Sequence, residues 1–249
     1  MSGAIPPAPL RVETPTRGVV CLTLCRPHRG NALAADTVEA LIEAVTQAHA
    51  DPVLHTLLLR AEGPHFCTGL DLSQLDDLSD EILAFRLIRI ETLLSLLWHS
   101  PLATVVRAHG RTWGAGADLF AVCEERQAQP DTSFRFPGAQ FGVVLGTRRL
   151  AERIGVDATR RLVLHGGNLD VTAAQRLGLV TDVVDAAVQA GAPVAPVVAP
   201  DTARALRLVS RVDQRDADLA ALVRSVTAPG LKARVLAYRQ RQLAARTQT

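Results

Sequence analysis

The chain has 249 residues, of which 48% are hydrophobic, and its formal net charge is +2. This hydrophobic content is ample for a packed core, so a largely disordered chain is excluded. Acidic and basic residues are mixed along the sequence, a pattern that argues against a nucleic-acid partner and favours small molecules or further copies of the chain.

The first predicted elements alternate between strands and helices. Two runs rich in valine and leucine, residues 18–25 and 55–61, are predicted strands, and residues 35–50 between them have the apolar spacing of a helix. The order then repeats, with helical spacing over residues 81–98 and a strand over residues 102–110. This alternation predicts the α/β class, with helices covering a mostly buried sheet.

The middle of the chain continues the same pattern. Residues 115–125 are predicted to form a short buried helix after a glycine turn, and residues 132–136 a short strand. Residues 146–155 and 158–167 are predicted helices that end at glycines.

The composition changes near the C-terminus. Residues 186–200 are a connector made mainly of alanine, valine and proline, whereas residues 201–225 and 229–246 are amphipathic, arginine-rich and predicted to be helical. We expect this tail to fold back on the core or on a neighbouring subunit.

Cysteine usage and the N-terminal residues bear on the compartment. The four cysteines have no paired short spacing, which is typical of small buried side chains in a reducing environment. The start of the chain has no basic segment followed by an apolar one, and no apolar run reaches the ~18 residues of a membrane span. These observations predict a cytoplasmic protein with no membrane partner.

Two glycine turns stand out, "FCTGLDL" at residues 66–72 and "TWGAGADLF" at residues 112–120. Each follows a predicted strand and precedes a predicted helix. Free backbone N–H groups at such positions bind anions, because the first amides of a helix have no internal partner. Two turns of this kind that face each other would form an oxyanion hole. Neither turn matches a nucleotide-binding fingerprint.

The sequence resembles the enoyl-CoA hydratase/isomerase family, also called the crotonase superfamily, from about residue 18 to 185. "CRPHRGNAL", "FCTGLDL", "HGRTWGAGADLFAVCEE" and "AAQRLGLVTDVV" are similar to four family motifs and occur in the family's order. The resemblance implies a spiral of repeated ββα units with a helical C-terminal region. It implies an acyl-CoA-binding core over residues 1–190 and a helical region over residues 191–249 that packs subunits into a homotrimer or a dimer of trimers.

The resemblance also implies the ligand and its contacts. The ligand is an acyl-CoA thioester, so coenzyme A enters with the substrate, and neither a separate cofactor nor a metal is expected. The amides of Leu70 and Ala115 correspond to those that hold the thioester oxygen. Thr68 would offer its carbonyl group to the adenine, and His28 and Arg29 would lie near the CoA phosphates.

The acid–base residues depart from the family pattern. Hydratases of the family hold the attacking water between two glutamates; the first position here is Asp118, and the second, in "FRFPGAQFG", is Gly138. Gln140 could orient water but could not accept its proton. Trp113 would pack either on the acyl group or pantetheine arm, or in the core.

Three functions therefore remain open at this point. An enzyme would stabilise a thioester enolate with the two amides and move a proton with Asp118, giving hydration or double-bond isomerisation. A decarboxylase of malonyl-type thioesters would need the oxyanion hole more than two acids. An acyl-CoA-binding homologue with little catalysis is favoured by Gly138. A serine peptidase is disfavoured, because no serine lies in a nucleophile elbow.

Overall fold

A six-stranded sheet lies at the centre of the computed structural model, which describes residues 8–186 and 197–247. The first two strands, β1 (Leu10–Thr16) and β2 (Val19–Leu24), pair antiparallel, whereas every later pair of neighbours in this sheet is parallel. Parallel strands need helical crossovers and are buried on both faces, which explains the fully apolar runs that the sequence shows. In their order across the sheet, the strands are β1 (Leu10–Thr16), β2 (Val19–Leu24), β3 (Thr56–Ala61), β4 (Ala103–Ala108), β6 (Glu125–Ala128) and β9 (Asp182–Val183).

A second sheet has three short strands: β5 (Arg111–Trp113), β7 (Ser133–Arg135) and β8 (Asn168–Asp170). Strands β5 and β7 are parallel, and β8 runs antiparallel to β7. An isolated bridge between Cys67 and Thr112 joins this sheet to the first glycine turn. The small sheet therefore holds the two glycine turns side by side.

Helices cover the sheets. Their bounds are α1 (Ala35–Ala50), α2 (Asp80–Trp98), α3 (Ala115–Val122), α4 (Thr147–Ile154), α5 (Val156–His165), α6 (Val171–Arg176), α7 (Pro200–Val209), α8 (Arg215–Val226) and α9 (Leu231–Thr247). Short 3-10 turns occupy Pro27–Arg29, Leu75–Asp77 and Gly138–Phe141. Within the described ranges, no helix is both long and apolar enough to cross a membrane.

The α/β class and most predicted elements are confirmed. Helices α1 and α2 and strands β2, β3 and β4 lie where the apolar spacing places them. Helices α4 and α5 end at Gly155 and Gly166 as predicted; Gly166 is in the left-handed conformation that favours glycine at a helix C-terminus.

Three predictions need correction. The helix expected over residues 115–125 ends at Val122, because the chain continues as strand β6 from Glu125 alongside β4. The first glycine turn does not open a helix directly: only a 3-10 turn lies between it and α2. Residues 201–225 form two helices, because the chain breaks between Val209 and Arg215.

The C-terminal helices pack on the core through a separate apolar cluster. It joins Leu83 and Leu87 of α2 to Leu222 of α8 and to Leu231 and Val235 of α9, all of them buried. Burial of one such side chain contributes about 1.5–3 kcal/mol. The tail thus folds back on its own chain. The expected boundary at residues 190 and 191 lies outside the described residues.

Candidate active site

A cavity of about 520 Å³ lies where the two glycine turns, the 3-10 turn at Gly138–Phe141 and helix α9 meet. Apolar side chains that line it include Leu87 of α2, Leu150 of α4 and Leu145, which lies just before α4. Polar and charged side chains also line the cavity. A cavity with an apolar wall and a few placed polar groups is the usual form of a small-molecule site.

The two glycine turns touch at this cavity. A methyl group added to Gly69 would lie 2.9 Å from the Trp113 carbonyl oxygen and 3.3 Å from the Ala115 nitrogen. Gly69 has a φ of +95° and Gly114 a φ of +55°. Glycine is therefore required at Gly69 both for its backbone conformation and for the close approach of the second turn.

Two backbone amides at this contact have no partner. Neither the Leu70 N–H nor the Ala115 N–H donates a hydrogen bond within the described part of the chain, and both residues line the cavity. Leu70 is fixed by its neighbours, since the Leu33 amide donates to the Gly69 carbonyl and the Asp71 amide donates to the Leu33 carbonyl. Ala115 is the first residue of α3, so its amide has no partner within the helix.

Asp118 lies one turn into helix α3 and lines the same cavity. The residue is 6% exposed, and its carboxyl group has no hydrogen-bond partner among the residues described. Burial raises the pKa of Asp118 well above its ordinary value; the nearby Glu91 carboxylate raises it further, whereas Arg149 lowers it. A buried carboxyl group with a raised pKa at a cavity wall is a candidate for proton transfer.

A glycine gives the Asp118 carboxyl group its space. Gly146, at the N-terminus of α4, has a φ of +68°, and a methyl group there would lie 2.2 Å from the Asp118 Oδ1 atom. No larger residue fits while the carboxyl group keeps its position. The sequence predicted Gly146 only as the first residue of a helix over residues 146–155.

A network of ion pairs around Arg149 acts electrostatically on the Asp118 carboxyl group. The Arg149 guanidinium donates to both Glu91 carboxylate oxygens, at 3.0 and 2.6 Å, and lies 3.0 Å from the Asp218 carboxylate. The network links α2, α4 and α8. Because the Glu91 and Arg149 side chains are both buried, removing Arg149 would leave the Glu91 carboxylate buried and unpaired.

Gly138 lines the cavity without contributing an acid. A methyl group there would lie 3.0 Å from the Val143 carbonyl oxygen, so the backbone is close on that side. Asp71 is the one other acid along this cavity wall among the described residues, and it is engaged: Arg26 donates to it at 3.1 Å and the Ser73 amide at 2.9 Å. Gln140 is exposed and lies outside the lining.

Of His28, Arg29 and Thr68, which are expected to contact CoA, two line the cavity. Arg29 and Thr68 line the cavity, and the Thr68 amide donates to the Gly30 carbonyl at 3.0 Å, which holds the two loops together. His28 is exposed and is not part of the lining. The binding roles of all three residues stay predictions. Trp113 lines the cavity, and its indole N–H donates to the Ser133 hydroxyl at 3.2 Å.

Sequence reasoning missed the contribution of the last helix. Val235, Tyr238 and Arg239 of α9 line the cavity, and the Tyr238 ring lies 5.1 Å from that of Phe141. The amphipathic spacing of the tail indicated that one face is buried. It did not indicate which surface that face covers.

The fold and this cavity together define a class: a crotonase-type spiral in which turns from successive strand–helix units meet at one pocket. The chain belongs to the enoyl-CoA hydratase/isomerase family, whose family model matches residues 14–195. The family that the sequence motifs predicted is therefore confirmed.

Solved structures confirm the fold. An enoyl-CoA hydratase/isomerase-type protein from Bordetella parapertussis is 40% identical, with a TM-score of 0.88, over 92% of this chain and 98% of that chain. An enoyl-CoA hydratase from Bacillus halodurans is 21% identical with a TM-score of 0.77, over 92% of this chain and 99% of that chain, a likeness of fold alone.

Other relatives match a shorter region of this chain than the solved structures do. The enoyl-CoA isomerase/hydratase fer4 of Mycosarcoma maydis is 31% identical over 179 residues, which are 67% of this chain and 65% of the relative. The human mitochondrial methylglutaconyl-CoA hydratase is 25% identical over 178 residues, 70% of this chain and 52% of the relative. The chain thus spans somewhat less than two thirds of the first relative and about half of the second.

Proposed function

We propose that this protein is an enzyme of the enoyl-CoA hydratase/isomerase type that moves a proton on an acyl-CoA thioester. The observation that carries the proposal is the meeting at one cavity of the Leu70 and Ala115 amides and the Asp118 carboxyl group, none of which has a hydrogen-bond partner among the described residues. Enolate formation uses hydrogen-bond donors that stabilise the thioester oxygen and a side chain that accepts the proton. Family membership supports the same class of reaction.

In the proposed reaction, the Asp118 carboxylate takes a proton from a carbon next to the reacting double bond. The electron pair of that C–H bond moves onto the thioester oxygen, which the Leu70 and Ala115 N–H groups stabilise as an enolate. A preorganised donor of this kind contributes roughly 3–4 kcal/mol to the transition state. The Asp118 carboxyl group then returns the proton to a different carbon, so that the double bond has moved and no atom is gained or lost.

Isomerisation suits the site better than hydration. Hydration divides its work between a group that activates water and a group that protonates the α-carbon. One of these positions is Gly138, and the other cavity acid, Asp71, is bound by Arg26 and the Ser73 amide. A single carboxyl group that both removes and returns a proton is sufficient for isomerisation.

A binding function with little turnover is the second candidate, and the absence of an acid at Gly138 favours it. Decarboxylation of a malonyl-type thioester is the third. There the C–C bond to the carboxylate breaks, its electron pair forms the enolate, and CO₂ leaves; the α-carbon is then protonated. This reaction uses the two amides and needs only one proton donor.

A panel of CoA thioesters followed by mass spectrometry separates these functions. Enoyl, 3-hydroxyacyl and malonyl thioesters are each incubated with the enzyme. We expect 2-enoyl and 3-enoyl thioesters to interconvert, which chromatography resolves although their masses are equal. A mass gain of one water would assign hydration, loss of CO₂ would assign decarboxylation, and tight binding with no product would assign the binding function.

The assembly and compartment belong to the same proposal. A homotrimer or a dimer of trimers follows from the family resemblance, and light scattering coupled to size-exclusion chromatography tests it. Cytoplasmic location rests on the cysteine pattern and is tested by fractionation of the source cells.

A further inference from the structure

Three side chains on one face of the small sheet stack together at the cavity wall, two arginines and a tryptophan. Arg111 and Trp113 are two residues apart on β5 and so share a face, and Arg135 of β7 is the cross-strand partner of Trp113. The Arg111 guanidinium carbon lies 4.9 Å from the centre of the Trp113 ring, and that of Arg135 lies 5.1 Å from it. All three residues line the cavity.

The ring is held in place. The Trp113 indole N–H donates to the Ser133 hydroxyl, which fixes the orientation of the ring on the sheet. A guanidinium is attracted to the face of an aromatic ring by the ring's electrostatic field. The two arginines are therefore held beside the ring with their N–H groups free to bind a further partner.

No described carboxylate neutralises these two arginines: neither Arg111 nor Arg135 forms an ion pair in the part of the chain that the structure describes. Arg239, which also lines the cavity, is paired with Asp76 at 2.8 Å. Asp170 lies on the neighbouring strand β8, but its carboxylate caps helix α6 by accepting from the Ala173 amide at 2.7 Å. Two unpaired positive charges at one wall attract an anion.

We propose that Arg111, Trp113 and Arg135 form an oxyanion-binding subsite that recognises a carboxylate or phosphate group of the ligand. A planar guanidinium binds either group through two parallel hydrogen bonds, which a lysine could not provide. This inference rests on the proposed function in taking the ligand to be an acyl-CoA. An acyl-CoA can carry such an anionic group in two places: a carboxylate on the acyl group, or the phosphates of its nucleotide.

The test compares the wild-type protein with the double variant R111Q/R135Q. The matched control is R160Q/R161Q, which removes the same charge from two exposed residues of α5 outside the cavity lining. Four ligands are titrated by calorimetry: butyryl-CoA, glutaryl-CoA and the two corresponding pantetheine thioesters, which lack the nucleotide phosphates. Pyrophosphate and glutarate are titrated separately as free anions.

We expect R111Q/R135Q to weaken binding by about tenfold or more, because losing a hydrogen bond to a charged group lowers affinity by about that factor. We expect R160Q/R161Q to change affinity by no more than about twofold. A loss confined to glutaryl thioesters assigns the acyl carboxylate, and a loss for both CoA thioesters but neither pantetheine thioester assigns the phosphates. Equal affinities in all three proteins would overturn the subsite. If no thioester binds but free anions bind and R111Q/R135Q abolishes this, the subsite stands and the proposed function fails.

Discussion

Replacing Asp118 with asparagine is the most direct test of the proposed chemistry. The substitution keeps the size of the side chain and leaves the Leu70 and Ala115 amides in place, so the donors stay while the group that transfers the proton is lost. General acid–base catalysis contributes about 10²–10⁴-fold in rate, which corresponds to roughly 3–5 kcal/mol. We expect the loss to reach this range, because the other acid of the cavity, Asp71, is held by Arg26 and the Ser73 amide.

The assay is exchange of substrate protons with D₂O, followed by NMR. Exchange at the carbon next to the thioester reports enolate formation whichever product the enzyme releases. We expect D118N to lose exchange by the stated factor while its affinity for a saturated acyl-CoA stays within about threefold. The control variant is D157N, which changes an exposed aspartate of α5 and should exchange at the wild-type rate. Full exchange in D118N would show that Asp118 is not the base.

The same variant has a predicted effect on stability. The pKa of Asp118 is raised in the folded state, mainly by burial, so between the ordinary value of 3.8 and the folded value the native protein binds more protons than the unfolded chain. Its contribution to stability is therefore full at low pH and is lost as the pH rises through the folded pKa. We expect urea denaturation to show that D118N loses less stability than the wild type between acidic and alkaline pH. Parallel pH dependence in the two proteins would contradict the assigned pKa shift.

Three further substitutions, one of them with a matched control variant, test the site. G69A would force the two turns apart, and loss of one donor should lower kcat by about 10²–10³-fold; an unchanged rate would exclude Gly69 as the contact that aligns the amides. G146A should lower both stability and proton exchange because it displaces the Asp118 carboxyl group, whereas G155A, also at positive φ but with no neighbour within 4 Å, should lower stability alone. G138E should raise hydration of an enoyl-CoA by about tenfold or more if a second carboxyl group is what hydration lacks; mass spectrometry of the hydrated product decides this.

Much of the fold could be predicted because burial leaves a pattern in the sequence. Strands β2 and β4 are buried along their whole length, and their apolar runs identify them. Strand β1 is exposed after Leu10, so its residues show no alternation, and sequence reasoning missed it. The strands β5 and β8 have three residues each, too few to show a period.

The sequence by itself determined the family, the two glycine turns and the departure from the family pattern at Asp118 and Gly138, because these depend on residue types in a fixed order. Only the tertiary structure decided what surrounds them. Gly146, which leaves room for the Asp118 carboxyl group, lies 28 residues further along the chain. Helix α9, which lines the cavity, lies near the C-terminus. Such contacts join elements that lie far apart in the sequence, and no local pattern records them.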